Sequence, residues 1–472
     1  MVGAWRRQRG GAACEDRAVT GERGSTRPGL VPQLADLSLR FWVLLVLTGI
    51  AAGLGAMAMM AVLRAVQHAA LGYHLGEYST AALHVSGVRL VAVLAVGGLV
   101  TGVGLWLMRR HGGTGGEPTQ VVWAGTGSLP LGRTLVSGAL SEVSVGMGAS
   151  LGREAAPQHT GAASGAALAR RFGLPADQRT LLIACGAGAG LAAVYNVPLA
   201  GALFTLEIYL GAVSLPLVVP ALAAASIATG VAWLTLPAHA VYSVPVLPSP
   251  SVSLMVFAVV IGPVLGLASV GYITSIAWAG AHQPKGRLLL VEPLVVFAGL
   301  GLLALRYPLL LGNGVDLAQF AFLGGAGLAT LVALTALKPL VTAACLRSGA
   351  YGGLFTPTLS FGAVFGALAG HLWGMAWPGA PASSASSYAI VGAAGLLAAA
   401  IGAPVSAVAF VLELTHTASP VMAPIIIAVV GATLMARRLD VRTIYTARGA
   451  PEATSTAAAS LPPEDLGGPP SG

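Results

Sequence analysis

Residues 185–207, CGAGAGLAAVYNVPLAGALFTLE, and residues 391–413, VGAAGLLAAAIGAPVSAVAFVLE, are one segment used twice. At a constant offset of 206, Gly186 matches Gly392, Leu191 matches Leu397, and Ala192–Ala193 match Ala398–Ala399. The Gly and Ala matches carry little weight in a chain with 64 glycines. The matches of Pro198 with Pro404, Phe204 with Phe410 and Glu207 with Glu413 carry the comparison. An apolar chain with two such halves reads as a membrane transporter built from an internal repeat, with its substrate site where the halves meet.

The chain of 472 residues is 56% hydrophobic and only 9% charged, against about 25% charged in soluble domains. So few charges cannot clothe a soluble globule, so lipid must face much of the surface, and the fold expected is an all-α integral membrane protein. Apolar runs cover 41–63, 87–108, 180–206, 253–280, 318–337 and 389–412, several of them longer than the ~20 residues that cross a bilayer. Helix breakers inside a membrane survive only where they line a cavity or a site, and 29 prolines are many for such a chain. Arg6, Arg7, Arg9, Arg17, Arg23 and Arg27 precede the first run, and Arg437, Arg438, Arg442 and Arg448 follow the last. The positive-inside rule then puts both termini in the cytoplasm of a multi-pass protein of the cell (inner) membrane. No basic patch interleaves with aromatics, so no nucleic-acid partner is expected. The N-terminal stretch lacks the apolar core of a signal peptide. Cys14, Cys185 and Cys345 lie too far apart in sequence to suggest a disulfide framework or a metal cluster, and no cofactor is implied.

The expected organisation is a disordered cytoplasmic N-terminus (1–37), a first membrane repeat (38–235), a Pro-rich linker (236–251), a second repeat (252–447) and a disordered tail (448–472). Gly/Pro clusters cut the apolar sequence at 112–118, 146–157, 186–198, 352–357 and 402–404, which predicts many tilted and broken helices rather than regular spans.

Three of these breaks carry chemistry. In Gly152-Arg153-Glu154-Ala155-Ala156-Pro157, the proline marks the first turn of a helix. Unpaired N–H groups at that helix start attract an anion, and Glu154 can stand in for one until it is protonated. The bland alternative is a carboxylate that caps the helix and pairs with Arg153. Gly353-Leu354-Phe355-Thr356-Pro357 repeats the arrangement without an acid, so its N–H groups are open to an anion. Gly113-Thr114-Gly115-Gly116-Glu117-Pro118 is the third break, with the Thr114 hydroxyl as a donor. Together they suggest helix N-termini from both halves converging on one anion.

GREAAP, then GAGAGLAAVYNVPLAGALFTLE, then GGLFTP, then GLLAAAIGAPVSAVAFVLELT resembles the CLC family of chloride channels and chloride/proton exchangers over roughly residues 40–447. The resemblance implies a homodimer in which each subunit has its own pore and two inverted-topology repeats of many tilted helices. It implies an anion site for chloride and other small anions made of helix ends and two hydroxyls. Carried over by motif, GTGGE corresponds to the family's GSGIP and puts Thr114 and Gly115 at the anion. A rival segment, Gly125-Thr126-Gly127-Ser128-Leu129-Pro130, lies too close to GREAAP for the family's spacing of about forty residues. GREAAP puts Gly152, Arg153 and Glu154 at the gate, and GGLFTP puts the amides of Leu354 and Phe355 at the ion. The segment Arg442–Thr446 puts the Tyr445 hydroxyl there too.

One departure bears on protons. Family exchangers usually carry a second, inner glutamate in a motif like FxxEE. Here Phe204-Thr205-Leu206-Glu207-Ile208 keeps the first acid as Glu207 and replaces the second by Ile208. The expectation is therefore chloride transport gated by Glu154, with two outcomes open. One is exchange with protons arriving by another route, for which Glu207 is the candidate. The other is a proton-independent channel of the voltage-gated type. Glu207 and Glu413 are read more readily as acids that satisfy buried helix ends, and Glu142 has no assigned role. A remote alternative is a membrane serine hydrolase, since Gly148-Ala149-Ser150-Leu151-Gly152 fits the nucleophile-elbow pattern and His159 is nearby. That elbow needs a strand–turn–helix setting that nothing in the chain supplies, so no enzyme is expected.

Overall fold

The computed structural model describes residues 37–72, 78–113, 115–247, 249–377, 385–417, 421–439 and 442–447. Among them are eighteen α-helices and no strand, and the helices fall into two series in the same order. In the first half stand α1 (Leu39–Leu71), α3 (Gly87–Arg110), α4 (Pro118–Ala124), α5 (Leu131–Gly146), α6 (Ala155–Arg171), α7 (Ala176–Tyr195), α8 (Pro198–Phe204) and α9 (Leu215–Ala232). Their mates are α10 (Val252–Ala281), α11 (Leu288–Ala304), α12 (Val315–Leu323), α13 (Leu328–Arg347), α14 (Phe355–Ala376), α15 (Ala385–Ile401), α16 (Pro404–Thr415) and α17 (Met422–Arg438). Among the described residues, only α2 (Tyr78–Leu83) and α18 (Ile444–Ala447) have no mate.

Packing repeats with the series. α6 packs on α7 as α14 packs on α15, and α1 on α9 as α10 on α17. Ser38 caps α1 by accepting from the Phe41 amide, and Ser251 caps its mate α10 by accepting from Leu254. Both hydroxyls satisfy donors that a helix start leaves without partners.

Among the described residues, six helices are long and apolar enough to cross a membrane: α1, α3, α9, α10, α13 and α14. Large apolar side chains such as Leu39, Val88, Leu215, Val252 and Leu340 are exposed along them, the pattern of a chain whose solvent is lipid. Three apolar runs that look continuous in sequence are broken. The run 180–206 stops at Asn196, whose φ of +57° ends α7, and restarts at Pro198. The run 389–412 stops at Gly402 (φ +73°) and restarts at Pro404, and 318–337 is cut by Gly324 (φ +76°). A left-handed residue followed by proline cannot continue a helix.

The expected break at 186–198 is narrower than its glycines suggest. Gly186, Gly188 and Gly190 lie inside α7. A Cβ on Gly186 would come within 2.3 Å of the Gly161 carbonyl oxygen, and one on Gly190 within 2.1 Å of that of Pro157. These glycines let α6 and α7 touch backbone to backbone.

The halves meet by exchange. The Glu207 carboxylate accepts from the amides of Val405 (3.2 Å) and Ser406 (2.6 Å) and from the Ser406 hydroxyl (2.5 Å), which caps α16. The Glu413 carboxylate accepts from the amides of Leu199 (3.2 Å) and Ala200 (2.7 Å), which caps α8. Residue for residue these are the same contacts shifted by the repeat offset. Each helix aims its N-terminus at the acid near the other's C-terminal end, so α8 and α16 run antiparallel. A contact in which each partner does to the other what is done to it requires a two-fold axis. Two repeats related by such an axis are inverted in topology when the axis lies in the membrane plane, the arrangement the resemblance implies. Glu207 differs from its mate by sitting in a π-helical turn, Thr205–Leu210, that follows α8.

Charge-assisted caps of this kind contribute about 1.5–3 kcal/mol per hydrogen bond. Replacing either acid by Ala should therefore destabilise the protein by about 3 kcal/mol, read as a lower thermal denaturation midpoint in detergent. Gln, which keeps the acceptor oxygen, should lose roughly half as much.

Candidate functional site

At the seam between the halves, Gly152 and Gly353 form an isolated antiparallel bridge with reciprocal amide–carbonyl bonds of 2.7 Å. The bridge pins the start of α6 to the start of α14. A side chain on either residue would displace the Glu154 carboxylate: a Cβ on Gly152 would lie 2.2 Å from Glu154 Oε2, and one on Gly353 would lie 1.9 Å from Oε1. The space a side chain would take is filled by the Glu154 carboxylate.

Glu154 is 1% exposed. Its Oε1 accepts from the Phe355 amide at 2.7 Å, at the N-terminus of α14. Its Oε2 accepts from the Tyr195 hydroxyl at 3.0 Å and the Thr356 hydroxyl at 3.2 Å. The two hydroxyls are also within bonding distance of each other, and with one proton apiece they make only two of these three bonds at a time. Free amides at a helix start and the positive end of its dipole form an anion site, and here the anion is the protein's own carboxylate. Arg153 does not pair with it. Its guanidinium lies over the Tyr195 ring, 5.2 Å from the centroid.

One cavity is lined by Glu154, Gln158, His159, Glu117, Leu354 and Tyr445. Tyr209 also lines it and donates to Gln158 Oε1 at 3.1 Å. Tyr445, on α18, packs edge-on against Phe204, with 5.8 Å between ring centroids. The structure thus brings Glu154, Leu354 and Tyr445 to one cavity, with Gly152 and Phe355 bonded to its lining residues Gly353 and Glu154. Thr114 lies outside the described residues. Gly115 (φ +74°) is held against Thr134, whose hydroxyl a Cβ would meet at 2.7 Å.

Glu207 is committed to the α16 cap and does not line this cavity. Ile208 is buried, and its carbonyl accepts from Trp123 Nε1 at 3.0 Å. Ser150 is fully buried, and its hydroxyl accepts from Lys338 Nζ at 2.8 Å. His159 is engaged with Glu117 and Tyr351, so the two residues of the elbow pattern are not partners.

Sequence reasoning missed Tyr195, Thr356, Glu117 and His159. Thr356 lies inside the GGLFTP motif. Tyr195 falls in the duplicated segment opposite Ile401, so a polar residue facing an apolar mate was the available signal. Nothing local marks Glu117 and His159 as neighbours.

The family model described as voltage gated chloride channel matches residues 104–437 of the chain. A ClcB-like chloride channel protein of Ralstonia nicotianae is 33% identical over 415 residues, 84% of this chain and 94% of that protein. The H(+)/Cl(-) exchange transporter ClcA of Vibrio cholerae is 30% identical over 309 residues, 64% of this chain and 66% of that protein. Among solved structures, a slow cyanobacterial Cl-/H+ antiporter superposes with a TM-score of 0.74 at 24% identity, covering 87% of this chain and 97% of the other. A CLC-type fluoride/proton antiporter superposes with a TM-score of 0.70 at 20% identity, covering 88% and 99%.

Proposed function

The chain belongs to the voltage-gated chloride channel (CLC) family and is an integral membrane chloride transporter; on that premise we propose that Glu154 is the gate of its anion pathway. The supporting observation is the 2.7 Å bond from the Phe355 amide to the Glu154 carboxylate. A carboxylate on a helix N-terminus competes directly with a halide for the same donors. Acidification protonates it, and the neutral acid gives up the charge-assisted hydrogen bonds that hold it there. Chloride then takes the vacated amides. The Leu354 backbone and the Tyr445 hydroxyl extend the anion's path along the cavity, Thr114 is kept from the motif as a further donor, and Gly152 and Gly353 leave room for the carboxylate.

The reading includes proton-coupled exchange, in line with the ClcA relative and against a proton-independent channel. Glu207 is not the proton carrier in this reading, because protonating it would strip the cap from α16. The reading keeps the homodimer that the family resemblance implies, with a pore in each subunit. Both termini are taken to be cytoplasmic, which puts the Tyr445 end of the cavity on the inner side of a cell membrane.

The test is chloride efflux from liposomes containing the purified protein. Wild-type flux should rise as pH falls, and flux through Glu154→Gln or Glu154→Ala should be pH-insensitive. A Gln variant that still speeds up on acidification would remove Glu154 as the gate. Tyr195→Phe deletes one hydrogen bond to the charged carboxylate, about 1.5 kcal/mol. Neutral-pH flux through that variant should accordingly be about tenfold higher than wild type.

A further inference from the structure

The cavity beside Glu154 holds a second pair of titratable side chains that gating does not use. His159 Nε2 lies 3.3 Å from Glu117 Oε2. The Tyr351 hydroxyl is 2.7 Å from His159 Nδ1 and 3.4 Å from Glu117 Oε1. His159 is 5% exposed, and both members of the pair line the same cavity as Glu154. We propose that the Glu117–His159 pair is a proton-binding site that loads Glu154 from the Tyr445 side of the cavity, in place of an acid at position 208. The inference rests on the reading of Glu154 as a protonatable gate.

Elimination among the acids and bases at the seam favours this pair. Ile208 cannot bind a proton, and the oxygens of Glu207 and Glu413 are occupied by the amides of α16 and α8. Glu142, on α5, is fully buried with neither carboxylate oxygen hydrogen-bonded, and Arg153 and Glu154 act on it electrostatically. It does not line the cavity, so cavity water does not reach it. The other titratable groups on the cavity wall are the phenols of Tyr209 and Tyr445. Among the described residues that line the cavity with Glu154, only His159 and Glu117 form an acid–base pair.

The step balances as a simple proton transfer. The imidazole of His159 takes an excess proton delivered from the bulk solution through cavity water, and the imidazolium pairs with the Glu117 carboxylate. The proton then passes through cavity water to a Glu154 oxygen, which leaves neutral imidazole and a neutral carboxylic acid. The same event changes the wall that chloride meets. With neutral imidazole, Glu117 presents a full negative charge to the anion path. With imidazolium the pair is neutral, so the pathway stops repelling chloride when the gate is about to be protonated. Chloride entry and proton loading are thereby linked at one site.

The experiment places the full-length protein in liposomes with a chloride gradient and follows chloride and proton movement with separate electrodes. Wild type should drive protons uphill as chloride leaves. His159→Gln should still pass chloride, while its proton-to-chloride ratio falls by about 10²-fold, the range expected for a lost acid–base group. Chloride flux in the same vesicles reports that the variant is folded. If His159→Gln passes no chloride, Glu117→Gln, which removes the charge and keeps the shape, carries the same expectation. An unchanged ratio in the variant that conducts, or a wild type that moves chloride without protons, overturns the proposal and leaves the gate untouched. The gate fails separately, through acid-stimulated flux in Glu154→Gln.

Discussion

A buried carboxylate seated on the first amides of α14 is the interaction on which the rest of this structure depends. Burying a charge costs several kcal/mol unless it is paired or hydrogen-bonded. The fold meets that cost with one backbone donor and two hydroxyls, from Phe355, Tyr195 and Thr356. Among the described residues, no guanidinium or ammonium touches the carboxylate. A site built from dipoles can release its ligand, because none of its donors carries a full charge that would trap the anion. In the proposed function the same donors serve the protein's carboxylate and a dehydrated halide in turn.

The two-fold relation between the halves makes this seat available. The reciprocal caps, Glu207 on α16 and Glu413 on α8, hold the repeats in register from within the membrane. The Gly152–Gly353 bridge then sets the start of α6 beside the start of α14. Symmetry alone would put equivalent side chains at both starts. The sequence breaks it, with an acid at 154 in one half and apolar Leu354 and Phe355 in the other. One half thus supplies the carboxylate and the other the Phe355 amide that holds it.

Much of this is legible in the chain of letters itself. The duplicated segment, the Gly/Pro breaks and the acid at 154 are local patterns, and each follows from what glycine, proline and glutamate do to a helix in lipid. Apolar runs are less reliable guides, since 180–206 and 389–412 each hide a left-handed residue and a restart. Gly186 and Gly190 look like breaks and are contact points, because a glycine that ends a helix and one that lets two helices touch are the same letter. Glu207 can be read as a proton carrier or as a cap. The position of α16's amides decides for the cap, and sequence carries no trace of that position.

Sequence alone determined that the chain lives in lipid, that it is built of two related halves, and which residues interrupt its helices. These properties depend on composition and local backbone preference, which need no partner. Only tertiary structure decided what meets at the interruptions: Tyr195 and Thr356 on Glu154, the exchanged caps, and Glu117 against His159 across the cavity. Those contacts join residues tens to hundreds of positions apart, and their geometry arises when the two halves close on their shared axis.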